Sequence, residues 1–77
     1  MSVSSVTTVD TTYSVRLDQA DSNTLYIGES PTGSAEANSV WRIRKFITAG
    51  TVSSFLWADG NQQFDNIWNN RTSLTYS

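Results

Sequence analysis

Residues 40–58, VWRIRKFITAGTVSSFLWA, decide the fold. Apolar and polar side chains alternate on either side of Ala49-Gly50, the pattern of a β-hairpin with a two-residue tip. With Ala49 and Gly50 at the tip, Thr48 faces Thr51. The ladder then pairs Ile47 with Val52, Lys45 with Ser54, Ile43 with Leu56 and Trp41 with Ala58. Because side chains in a ladder alternate between two faces, these residues share one face. Trp41, Ile43, Ile47, Val52 and Leu56 are the expected core. The opposite face pairs Phe46 with Ser53, Arg44 with Phe55 and Arg42 with Trp57, so that two cations lie beside aromatic rings. A slip of one residue would dissolve this division.

Outward from the hairpin, Tyr13, Val15 and Leu17 alternate with Ser14 and Arg16, the period-two signature of a half-buried strand. Turn formers cluster over 18–23. Leu25 and Ile27 then flank Tyr26 in a second strand that ends at Gly28, giving a first hairpin. Residues 30–39, SPTGSAEANS, hold the sole proline and read as a surface loop. Beyond the central hairpin, Asp59 and Gln62 have the spacing of a capping box. Phe64, Ile67, Trp68 and Arg71 fall at helical spacing, which predicts a short helix lying on the sheet. Asn66, Asn69 and Asn70 oppose it, being poor helix formers. Leu74 and Tyr76 alternate again, as in an edge strand. The expected fold is mainly β: a small antiparallel sheet, or a sandwich of two hairpins, with a short C-terminal helix. The Ser/Thr/Val-rich residues 1–10 read as an N-terminal arm and 11–77 as a single domain.

A chain of 77 residues buries a small share of its surface and usually recruits disulfides, metals or partners. It has no cysteine and no histidine, which leaves oligomerisation as the expected staple, with no cofactor and no metal. The net charge of -2 gives no basic footprint for nucleic acid. No apolar run approaches the roughly 20 residues that span a bilayer, and the N-terminus has no signal-peptide pattern. Neither nucleic acid nor membrane is an expected partner.

Catalysis has little to work with. The usual general base is missing, and no Gly-Xaa-Ser-Xaa-Gly or Ser-Xaa-Xaa-Lys motif seats a nucleophile, so a non-enzymatic protein is expected. Asp59, Asn61 and Asp65 carry oxygens suited to calcium, but an EF-hand counted from Asp59 would need glycine at Phe64 and glutamate at Asn70. Their reading is turn formation. Asn70-Arg71-Thr72 matches a glycosylation acceptor, a pattern that recurs by chance.

The constellation that stands out is Arg42, Arg44, Phe46, Phe55 and Trp57. Arginine stems that merely cover apolar surface beneath a second layer would explain it. So would an interface between subunits, where Trp, Phe and Arg concentrate. A sugar-stacking platform of Trp57, Phe55 and Tyr26, with Arg and Asn as hydrogen-bonding partners, is the alternative.

Five peptides, Tyr26-Ile27-Gly28-Glu29, Val40-Trp41-Arg42-Ile43, Trp57-Ala58-Asp59-Gly60, Phe64-Asp65-Asn66-Ile67-Trp68 and Arg71-Thr72-Ser73-Leu74-Thr75-Tyr76, occur in this order. Together they resemble small proteins encoded in tailed-bacteriophage genomes near structural genes. The resemblance implies a virion structural protein, for capsid decoration or associated with the tail or a fibre, that assembles as a homo-oligomer with other virion proteins. A carbohydrate-binding module on a phage appendage is the alternative. The family brings no active site to transfer.

Overall fold

The computed structural model describes residues 13–77, so the arm expected over residues 1–10 lies outside the described residues. Four strands, β1 (Tyr13–Asp21), β2 (Thr24–Pro31), β3 (Ser39–Ala49) and β4 (Val52–Trp57), form an antiparallel meander in the order β1-β2-β3-β4. A short β5 (Asn66–Ile67) pairs with the start of β3. The two hairpins therefore do not stack as a sandwich; β2 and β3 join them edge to edge, from Thr24 opposite Ile47 to Glu29 opposite Arg42. Both strands run past their expected ends. β1 continues through Asp21 to a tight turn at Ser22-Asn23, and β2 continues through Gly28 to Pro31.

The central hairpin forms with its tip one residue later than expected. Ala49 pairs with Val52 and Phe46 with Phe55, so the loop is Gly50-Thr51 and every pair has moved by two positions. The cause is backbone sterics. A two-residue hairpin turn needs positive φ at its first central position, which glycine adopts freely and alanine does not; Gly50 has φ +64°. Because the shift is even, the division into two faces survives. Trp41, Ile43, Lys45 and Ile47 still share one face with Leu56 and Ala58, and Arg42, Arg44 and Phe46 share the other with Phe55 and Trp57.

The first of these faces is covered. Trp41, Ile43, Ala58, Trp68 and Tyr26 form the buried core, with Val40, Leu74 and Tyr76 packed against it. Gly28 lies in the floor beneath Trp68, where an added Cβ would come within 2.5 Å of the ring. Trp41 donates from Nε1 to the Ala35 carbonyl at 3.0 Å, so its one polar atom is satisfied inside the core. The core ends before the hairpin tip. Val52 is 64% exposed, and Ile47 and Leu56 are only partly buried, contrary to their expected place. The covering chain explains this, because Tyr76, over which the Lys45 ammonium lies, is the last ring it supplies in that direction.

That covering chain is not an α-helix. After β4, Asp59 and Gly60 both have positive φ, a geometry that turns the backbone and cannot begin a helix with Asp59 as its cap. The chain loops out through 61–65 and returns to β3 as β5, with Asn66 opposite Trp41. A single 3-10 turn, Trp68–Asn70, follows. The helical spacing of Phe64 and Trp68 misleads because the two rings lie on opposite faces of the sheet. Phe64 stacks on Tyr13, while Trp68 packs on Trp41. One helix stripe cannot serve both. The last residues form the expected edge contact in reduced form, a bridge between Tyr76 and Ala58 rather than a strand.

Arg71 ties this segment down. Its Nε donates to Asp18 Oδ2 at 2.9 Å, and its guanidinium lies 4.6 Å from the Trp68 ring centroid. Tyr76 donates its hydroxyl to the Arg71 carbonyl at 2.7 Å. Burial, and then Tyr26 beside it, pushes the Tyr76 phenol well above its ordinary pKa, against the opposing pull of Arg71.

Candidate functional site

The other face of the sheet is where the sequence placed its candidates. Reading across the ladder from β1 to β4, one row is Leu17, Ile27, Arg44 and Trp57, and the next is Gln19, Leu25, Phe46 and Phe55. A third row brings Val15, Glu29 and Arg42 together. Most of this face is apolar, and much of it is open: Leu17 is 66% exposed, Phe55 56% and Val15 51%. An antiparallel sheet with one solvated face ordinarily turns polar residues to water. β1 does the reverse. Its alternation is the expected one, but Tyr13, Val15 and Leu17 point outward while Ser14, Arg16 and Asp18 point toward the covered side. There Arg16 pairs with Glu36, and Asp18 with Arg71.

The two arginines of the open face differ in how they are held. Arg42 donates from Nε and Nη2 to Glu29 Oε1, at 3.1 and 2.7 Å. Its guanidinium also lies 4.6 Å from the Phe64 ring centroid and 5.6 Å from that of Trp57. Phe64 stacks flat on Tyr13, with centroids 5.7 Å apart, and roofs this end of the face. The covering layer that is one reading of the cluster is thus present, among the described residues, over Arg42 alone. Arg44 sits further along, 5.2 Å from the Phe55 ring centroid and 5.3 Å from that of Trp57. Among the described residues it has no carboxylate partner, and its Nε is buried with no hydrogen-bond acceptor. Phe46 and Phe55 pack as a tilted pair with centroids 4.8 Å apart. This cluster has the donors to grip an anion and the rings to exclude water from it.

Comparison with protein-family models, with curated proteins and with solved structures finds no match to this chain.

Of the candidates read from sequence, the structure brings together Arg42, Arg44, Phe46, Phe55 and Trp57 on one face. It does not bring Tyr26 to them. Tyr26 is only 8% exposed and lies in the core on the opposite side, with its ring 5.8 Å from Tyr76. A sugar platform of Trp57, Phe55 and Tyr26 is therefore not formed. The sequence reading missed Val15, Leu17, Leu25, Ile27 and Glu29, which complete the face. Their signal was the shared alternation of β1 and β2, and it needed the pairing of β2 with β3 to be read. Asn61 behaves as a turn residue: its Oδ1 accepts from the Gln63 amide at 2.9 Å.

Proposed function

We propose that this protein is a non-enzymatic structural subunit of a bacteriophage virion, for capsid decoration or in association with the tail or a fibre, which works by packing its open sheet face against another protein layer. The observation that carries this reading is the inverted alternation of β1. Three outward apolar side chains, Tyr13, Val15 and Leu17, extend an apolar face of which the C-terminal segment covers only the Tyr13 end, through Phe64. A lone monomer gains nothing from such a face, since contiguous exposed apolar area of this size normally marks an interaction surface. The aromatic and arginine content of the face is that of an interface centre. The likeness of the five peptides to phage-encoded proteins supports the virion as the setting.

Electron microscopy of purified particles carrying a gold-labelled copy of the subunit tests this. Label at fixed positions on capsid or tail is the expected result, and particles that exclude the subunit refute it. A glycan array probed with the same protein separates off the carbohydrate reading: binding that Trp57→Ala abolishes in a folded protein would favour it.

A further inference from the structure

We infer that the layer that covers the open face is the same face of a second copy of this chain. The inference rests on the assembly reading above and names its partner. The first argument is area. Four strands of 9, 8, 11 and 6 residues, about 4.8 Å apart and advancing about 3.4 Å per residue, make a face of about 500 Å². Two such faces remove about 1,000 Å² from water before side-chain relief is counted, which is the scale a specific interface needs. Two twisted sheets packed face to face at about 10 Å also make an ordinary β-sandwich.

The second argument is charge. Arg44 offers a guanidinium with no carboxylate partner among the described residues and a buried, unbonded Nε. Glu29 lies on the same face, diagonal to it across the β2–β3 ladder, because Ile27 is opposite Arg44 and Glu29 opposite Arg42. Arg42 spends both its contacts on one oxygen of Glu29, and a carboxylate has about four acceptor positions. Glu29 therefore has capacity for a second guanidinium. In a two-fold interface a contact from i to j is repeated from j to i. A two-fold axis lying between the sheets and passing between Glu29 and Arg44 sets each Arg44 against the partner copy's carboxylate, twice per dimer. The half-buried Arg44 guanidinium is then paired, and the surrounding Leu17, Ile27, Phe55 and Trp57 are covered together.

Sedimentation equilibrium on the full chain from about 1 to 200 μM tests this with Arg44→Glu, Glu29→Lys and their mixture. The wild type should be a dimer. Each single variant sets like charges together across the axis and should weaken association about 100-fold or more, the scale seen when a buried interfacial charge pair is broken. The equimolar mixture should dimerise again, because it restores both Glu–cation contacts. Leu17→Glu, at a largely exposed position outside the core, should also give folded monomer by circular dichroism, and it decides the matter if either charge variant fails to fold. A monomeric wild type at 200 μM overturns the inference. So does a dimer indifferent to Leu17→Glu, and so does a mixture of folded variants that stays monomeric. These outcomes leave the assembly reading standing wherever the labelled subunit is still found on particles.

Discussion

Replacing Gly28 by alanine should destabilise the protein chiefly through its contact with the Trp68 ring. An added Cβ would lie 2.5 and 2.7 Å from Cε3 and Cζ3 of Trp68 and 3.2 Å from Cε3 of Trp41. Ordinary carbon–carbon contact is about 3.5–4.0 Å, so the Trp68 ring must retreat by about 1 Å. It has little room, since Arg71 lies over it, Trp41 packs beside it, and it is only 4% exposed. Forcing a methyl group into such a site costs about 1–3 kcal/mol. Alanine returns about 0.4–1 kcal/mol by restricting the unfolded chain, because the φ of Gly28 is not in the left-handed region. The net loss is about 1–2 kcal/mol, or about 5–15 °C in melting temperature for a domain of this size. Thermal melts should be run at one fixed protein concentration, since association shifts the midpoint, with tryptophan fluorescence as the probe. In a Trp68→Leu background the closest contact is gone and only the 3.2 Å approach to Trp41 remains, so most of the cost of Gly28→Ala should disappear. A melting temperature for Gly28→Ala at or above the wild type would refute the argument. So would an equal cost in both backgrounds.

Gly50→Ala should cost about 1 kcal/mol by a different route, since nothing lies within 4 Å of the added Cβ and the penalty is the left-handed backbone alone; a denaturant melt should show it with no change in tryptophan environment. Trp41→Phe removes the bond to the Ala35 carbonyl and leaves a gap at a fully buried site, so a loss of about 2–3 kcal/mol is expected by urea titration. Tyr76 keeps its proton in the fold at pH values where a free phenol has lost it. Stability should therefore be intact below the unfolded phenol pKa of about 10 and fall as pH rises above it. Tyr76→Phe should remove most of that decline, which absorbance at 295 nm and melts across the alkaline range would follow.

The period-two pattern carried most of what the sequence could tell. It assigned Trp41 and Ile43 to the core and set Arg42, Arg44, Phe46, Phe55 and Trp57 on one face, and both assignments survived a ladder displaced by two. An error of one would have inverted them. What periodicity cannot supply is which face is wet. Tyr13, Val15 and Leu17 alternate as a half-buried strand should, yet they point away from the core, because among the described residues most of the covering chain lies on the other side and only Phe64 reaches theirs. Val52 looked like core for the same reason: the pattern marks a face, and how far the covering segment reaches along it is set by residues 68–76. The spacing from Phe64 to Arg71 fits a helix, but a helical stripe presupposes that all its members seek one surface, and here Phe64 and Trp68 seek two.

Those two rings set a tolerance on chain length. Phe64 and Trp68 are four steps apart along the chain, with three residues between them, and an extended chain advances at most about 3.3–3.6 Å per step, so no more than about 14 Å of backbone passes around the β3 edge from one side of the sheet to the other. Asn66, held opposite Trp41, takes up part of it. Deleting a single residue from 65–67 would leave the thread too short for both rings, and the protein would have to give up either the Phe64–Tyr13 stack or the Trp68 seat on Gly28. Insertions at the outward turn of residues 60–63 face no such limit. Length variation in this part of the chain should therefore gather before Phe64 and stay out of the three residues after it.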